Sequence, residues 1–275
     1  MNSLRRMLAV LQLIRPQRPT VDIELIQAEL GYPQATAYRY VRELLDVGLL
    51  VRLPGGWGLG PRIIEFDLMI RESDPLLNRS RDLMRDLVAQ TGLNVLLSAL
   101  YEDTVISIHQ EYGLDARELN FGRGRPMPLF RSATSRVILA HLPPRRLKRL
   151  HEARAARAGA EVGKAVDTGD TRDSGDASDV SDGFLALGPD WRSFSRAMLA
   201  IRRQGWCQSQ GELDPDKTGL AAPILDDTGR VLGSITLVGS SERFAAFQAS
   251  YLCGLVTQAG REITRRVAAG VSEGN

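Results

Sequence analysis

The amino-acid sequence predicts an α+β protein in two parts: a winged helix-turn-helix, then a connecting helix and a larger domain of mixed strands and helices. Three observations carry that prediction. Short amphipathic helices in the first 62 residues lead into "LLVRLPGGWGLG", which reads as two strands about a Pro-Gly-Gly turn. From residue 94 onward, strand-like runs alternate with helical ones. The composition, 43% apolar and 25% charged over 275 residues, is globular and supplies one large domain or two ordinary ones.

The first helix follows from Leu4, Met7, Leu8, Leu11 and Ile14, which fall at helical spacing. "MNSLRRMLAVLQLI" has the basic-then-apolar start of a signal peptide. However, Gln12, Arg15 and Pro16 interrupt it and no small-residue cleavage site follows, so a soluble, cytoplasmic protein is expected. After the loop "RPQRPT", Thr20 is the expected N-cap of a second helix, with Asp22 and Glu24 near its positive end. Gly31 ends that helix, because glycine tolerates the left-handed exit. Pro33 suits the first turn of a third helix.

In that third helix Ala37, Tyr40, Val41, Leu44 and Leu45 share one face and should pack inward. Ala35, Arg39, Arg42 and Asp46 lie opposite, with Gln34, Thr36 and Tyr38 near the exposed start. Taken alone this is an ordinary solvated helix. Followed by a hairpin, it becomes the recognition helix of a winged DNA-binding domain. Arg grips guanine O6 and N7, Gln pairs with adenine, and Thr and Tyr reach phosphates. Arg52 on the wing, and Arg62 beyond it, could reach the backbone. Trp57 is expected to pack the wing against the helices. Residues 1–62 hold eight Lys+Arg against five Asp+Glu, a mild asymmetry in a chain of net charge +2.

"PRIIEFDLMIRESD" is read as a linker helix over 63–74, and "PLLNRSRDLMRDLVAQTG" as a longer helix opening the domain 75–275. "NVLLSALY" and "TVISIHQE" form a hairpin. "ELNF", "LAAPIL" and "VLGSITLVG" are further strands, the last two joined by "DDTGR". "FRSATSRVILAHL", "RRLKRLHEARAA" and "DWRSFSRAMLAIRRQG" are helices, and a final one spans about 244–269. Asp recurs every third residue from 167 to 182 among Ser, Thr and Gly. A flexible loop over 163–183 is expected there, since the pattern lacks the alternate Asp and closing Glu of a calcium loop.

No enzyme is expected. No serine sits in a G-x-S-x-G turn, "GRGRP" lacks the third glycine of a dinucleotide loop, and Cys207 has no recognisable base nearby. Two cysteines and three scattered histidines form no metal pattern, and no cofactor is expected.

"ELGYPQATAYRYVRELLDVGLLVR", "GWGLGPRIIEF", "GRPMPLFRSATSRVILAHLP" and "IRRQGWCQSQGELDPDKTGLAAPILDDTGRVLGSITLVGS", in this order, resemble the IclR family of bacterial transcriptional regulators over nearly the whole chain. The resemblance implies a GAF/PAS-like effector-binding domain behind the winged helix. It also implies homodimers, often paired into tetramers, on palindromic double-stranded operators. Thr36 and Arg39 match the polar part of the family's recognition helix, and Gln34, Tyr38 and Arg42 hold positions where members vary. The implied effector site comprises Leu129, Ala133, Thr134, Ser135, Ser209, Gly219, Ser234 and Thr236. The residues lend this site separate support. Ser234 and Thr236 alternate with Ile235 and Leu237, so two hydroxyls share a sheet face, and Ser132 is a good N-cap for the helix beyond it. Members often carry an acid where Ser209 stands and a larger residue where Gly219 stands. The pocket here should therefore be roomier and less charged. The expected effector is a small organic acid, an aromatic one among the candidates. The competing expectation is a small-molecule sensor working through protein contacts, with the winged helix used for dimerisation.

Overall fold

The computed structural model describes residues 2–114, 122–168, 187–188 and 190–272. Two compact units divide the chain, Met1–Asp74 and Pro75–Asn275. Asp74 is extended (ψ 107°), as the residue before a proline is driven to be.

The first unit opens with α1 (Ser3–Ala9), a 3₁₀ turn (Val10–Leu13), α2 (Ile23–Leu30) and α3 (Gln34–Asp46). The first helix stops short of the expected Ile14. Pro16 holds Arg15 out of the helical region, and Arg15 and Arg18 exchange backbone bonds of 3.0 and 2.9 Å across a tight turn. The cap of α2 is Asp22 rather than Thr20: its carboxylate accepts from Leu25 N–H at 2.8 Å. Val21 explains the shift. It bridges to Trp57 through two backbone bonds, so the chain stays extended until Asp22. Gly31 is left-handed (φ +67°), as expected.

Ala37, Tyr40, Val41 and Leu44 of α3 are buried with Val10, Ile23 and Ile26, and Leu45 is half-buried against them. Two tyrosines tie α1 to this core. Tyr32 donates to Arg6 O at 3.0 Å and meets Tyr40 edge-on at 5.7 Å, while Tyr40 shares a 3.2 Å hydrogen bond with Ser3. The hairpin of β1 (Leu50–Leu53) and β2 (Gly56–Leu59) turns through Pro54 and Gly55 (φ +86°). Trp57 packs it against the helical core. The next helix, α4 (Arg62–Ser73), has no buried residue, and Ile64, Phe66, Leu68, Met69 and Ile70 stand exposed.

The second unit centres on a six-stranded antiparallel sheet. Its strands are β3 (Asn94–Tyr101), β4 (Thr104–Glu111), β5 (Pro126–Met127), β6 (Cys207–Gln210), β7 (Lys217–Leu225) and β8 (Val231–Ser240). Their order is β5-β4-β3-β8-β7-β6. The helices are α5 (Pro75–Thr91), α6 (Ala133–Leu139), α7 (Pro144–Thr168), α8 (Trp191–Gln204), α9 (Ser241–Ala245) and α10 (Ala249–Ser272). On one face of the sheet Val95, Leu97, Leu220, Ala222, Ile235 and Leu237 pack against α5 and α10. On the other, α6 lies over β7 and β8, with α8 beyond it.

Two further expectations differ from this arrangement. Backbone 163–168, expected in the Asp-rich loop, belongs to α7: a helix already several turns long extends at little cost per residue. The remainder of that loop and "ELNF" lie outside the described residues. The final helix is broken into α9 and α10 at residues 246–248.

Glycine at position 60 is required by close packing. A Cβ there would meet the backbone oxygens of Gly48 at 2.2 Å and Leu50 at 2.7 Å. Gly60→Ala is expected to destabilise the first unit by about 2 kcal/mol, read as a lower urea midpoint, because the obstacle is backbone and cannot yield.

Candidate functional site

Each unit carries one candidate surface. In the first, the helix that buries Ala37, Tyr40, Val41 and Leu44 turns its other side to solvent. Gln34, Ala35, Tyr38, Arg39 and Arg42 are exposed, Thr36 is half-exposed, and Arg52 is exposed on the wing. Arg39 lies over the Tyr40 ring at 5.4 Å, and Arg42 makes a loose 3.9 Å pair with Asp46. At such exposure that pair constrains the guanidinium little. The face is polar, cationic and uncovered within its unit.

In the second unit a hollow lies between the start of α6, the ends of β7 and β8, and the loop joining β6 to β7. It holds about 520 Å³ free of protein atoms, open solvent at its mouth included. Thr134 and Thr236 share a 2.9 Å hydroxyl–hydroxyl bond, and both are buried. Gly219 faces them. A Cβ there would make only ordinary contacts, at 3.4 Å to Ser209 Oγ and 3.9 Å to Thr236 Cγ2. Leu96, Met127, Leu213 and Val238 supply apolar wall.

The start of α6 is held from the side. Ser132 takes φ +79°, unusual for a non-glycine residue, and its hydroxyl accepts from Ser135 N–H. Ser132 N–H donates to Glu212 Oε2 at 3.2 Å, and Ala133 N–H donates to Ser209 Oγ at 3.0 Å. Arg136, nearly buried, binds Glu212 Oε1 at 2.5 Å, and Arg131 donates to the Glu212 carbonyl. Burial pushes the neighbouring Cys207 thiol up to about 11, so it is no thiolate at neutral pH.

Of the eight expected effector residues, Ala133, Thr134, Ser209, Gly219 and Thr236 line this hollow. Leu129, Ser135 and Ser234 do not. Ser234 Oγ is directed to Thr134 O at 3.5 Å beneath the helix, and Leu129 packs in the core under α6. Glu212 and Lys217 also line the hollow and were not anticipated. Their signal in the sequence was faint: "GELDPDK" reads as a charged turn, and only its folding over α6 brings it to the hollow. Among the described residues no helix is long and apolar enough to cross a membrane, and no group of three His, Cys, Asp or Glu is placed to hold a metal.

The family pattern described as "IclR helix-turn-helix domain" matches residues 3–54. The pattern described as "Bacterial transcriptional regulator IclR C-terminal" matches 70–162 and 189–265. The chain belongs to the IclR family. As such it is a transcriptional regulator rather than an enzyme. IclR relatives include the HTH-type transcriptional regulator BhcR of Paracoccus denitrificans, 25% identical over 95% of this chain and 86% of that one. Another is KipR of Bacillus subtilis, 22% identical over 91% of each. An IclR regulator from Silicibacter sp. superposes with a TM-score of 0.73 at 21% identity, covering 97% of this chain and 96% of that one. An IclR homologue from Microbacterium hydrocarbonoxydans, complexed with 4-hydroxybenzoate, superposes at 0.69 and 20% identity, covering 98% and 100%. These likenesses bear out the fold: a helix-turn-helix unit followed by an α+β effector domain.

Arg136 and Glu212 form the charged joint of this IclR effector domain. Arg136→Met is expected to cost about 3 kcal/mol in unfolding free energy, measured by denaturant titration, because it strands the partly buried Glu212 carboxylate of the β6–β7 loop.

Proposed function

We propose that this regulator binds a palindromic operator through the Gln34–Arg42 face of α3 and that a small organic acid in the hollow under α6 modulates that binding. The observation that carries the DNA reading is the division of α3 into an apolar row that completes the core and a Gln/Thr/Tyr/Arg row left open. In a two-fold dimer, two such helices enter successive major grooves about 34 Å apart, with Arg52 on the wing toward the phosphates. The apolar, uncovered α4 supports self-association, whether as a dimer or as a dimer of dimers. The hydroxyl-floored hollow supports an effector, and the homologue holding 4-hydroxybenzoate supports an acid of that size, aromatic ones included. The effector acts by binding one dimer arrangement better than another, which shifts the population able to hold DNA.

Three measurements test this reading. Arg39→Ala is expected to weaken binding to a duplex from the regulator's own promoter by about 1–3 kcal/mol while barely changing affinity for random DNA, as read by fluorescence anisotropy. An equal loss on both would make Arg39 a phosphate contact. Affinity should also fall steeply with salt as counterions are released, whereas a protein-contact sensor would show no such slope. For the hollow, Gly219→Val places methyl groups in the cavity on a strand that accommodates them. Operator binding should persist with its response to effector lost, and a retained response would move the site elsewhere.

A further inference from the structure

The charges lining the hollow are unequally committed. Three charged side chains border it: Glu212, Asp214 and Lys217. Glu212 is bound by Arg136 at 2.5 Å and by Ser132 N–H at 3.2 Å. Asp214 accepts from Asp216 N–H at 3.4 Å within the loop. Lys217 forms no ion pair among the described residues, and its only described bonds are those of its backbone.

Lys217 is the first residue of β7. Alternation along the strand puts it on the same face as Gly219 and Ala221, the face that α6 covers. It is half-buried at the rim, and Gly219, two residues on, interposes no side chain between it and the Thr134–Thr236 pair. The opposite end of the hollow already holds an internal carboxylate. The N–H groups of Ser132 and Ala133 donate to the protein's own oxygens, one of them a carboxylate held by Arg136. An effector carboxylate entering there would have to displace that carboxylate and leave Arg136 and Glu212 to be resolvated. At Lys217 it meets a cation with nothing to displace.

We propose that Lys217 is the residue that selects an anionic effector. Its ammonium pairs with the ligand's carboxylate at the rim, while Leu96, Met127, Leu213 and Val238 take the apolar body. The Glu212–Arg136 pair keeps the helix start occupied by an internal anion. This assignment rests on the effector reading of the hollow. A flexible four-carbon stem carrying a point charge suits the task, since it follows acids of different length without a fixed fork geometry.

The test is calorimetric titration of the full-length protein with benzoate, 4-hydroxybenzoate, phenylacetate and pyruvate, each beside its neutral amide. The wild type is expected to bind at least one acid tenfold or more tighter than its amide. Lys217→Met should weaken that acid by at least tenfold, leave the amide unchanged and keep the operator affinity, and Lys217→Arg should retain the preference for the acid. Lys217→Gln, which keeps a polar stem, serves as the second neutral variant if the Met protein unfolds. Acid binding undiminished in the neutral variants, or amides bound as tightly as acids by the wild type, overturns the assignment but leaves the effector reading standing. A wild type that binds operator and none of the acids or amides overturns the assignment and counts against the effector reading as well.

Discussion

Strand β8 lies at the centre of the second unit, and burial on both its faces constrains the rest. A strand shows alternate residues to opposite sides, so a doubly covered one must serve two environments with a single run. Ile235 and Leu237 enter the apolar layer under α5 and α10. Ser234 and Thr236 face α6, where an unbonded hydroxyl would be costly to bury, and each meets a group of Thr134. That bonding draws α6 onto the sheet. With its first turn fixed there, the helix needs partners for its start, and the β6–β7 loop provides them through Ser209 and Glu212. The hollow is what remains between a helix pinned at one point and a loop reaching over its end.

The first unit solves a different problem with less material. A short helix must be held firmly while one side stays bare. Tyr32 and Tyr40 carry the load by combining large apolar faces with phenols that reach Arg6 O and Ser3. The wing is fastened by backbone as well as by the Trp57 and Leu50 side chains: Val21 bridges to Trp57, and Gly60 allows the chain to return against Gly48. Gln34 and Arg42 take no part in this, and Arg39 touches it only where it lies over the Tyr40 ring. The side chains proposed to read the operator are thereby left nearly free of structural duty.

Charge is handled with the same economy in the second unit. The ion pair nearest the hollow is partly buried and hydrogen-bonded on both sides, whereas most of the other ion pairs among the described residues are solvent-facing contacts such as Arg71–Asp67 on α4. Exposed pairs contribute little, and a partly buried one constrains geometry. Arg136 therefore belongs to the architecture of the site and Lys217 to its chemistry.

Periodicity and punctuation in the sequence determined much by themselves. The 3.6-residue pattern of α3, the glycine exit at Gly31, the hairpin at Pro54–Gly55 and the alternation at Ser234–Thr236 are local signals that survive folding, because neighbouring residues generate them. Of the five expected residues that line the hollow, Thr236 shows in that alternation, whereas Ala133, Thr134, Ser209 and Gly219 were reached through the resemblance to the family. Tertiary structure alone decided other features. Asp22 displaced Thr20 as a cap because Val21 pairs with a residue 36 positions away. Ser234 left the hollow because Thr134 lies above it, and Glu212 entered because a loop 76 residues beyond Arg136 closes on that side chain. A sequence read from neighbour to neighbour carries propensities, but which distant carboxylate neutralises which arginine is settled by the energy of the packed chain.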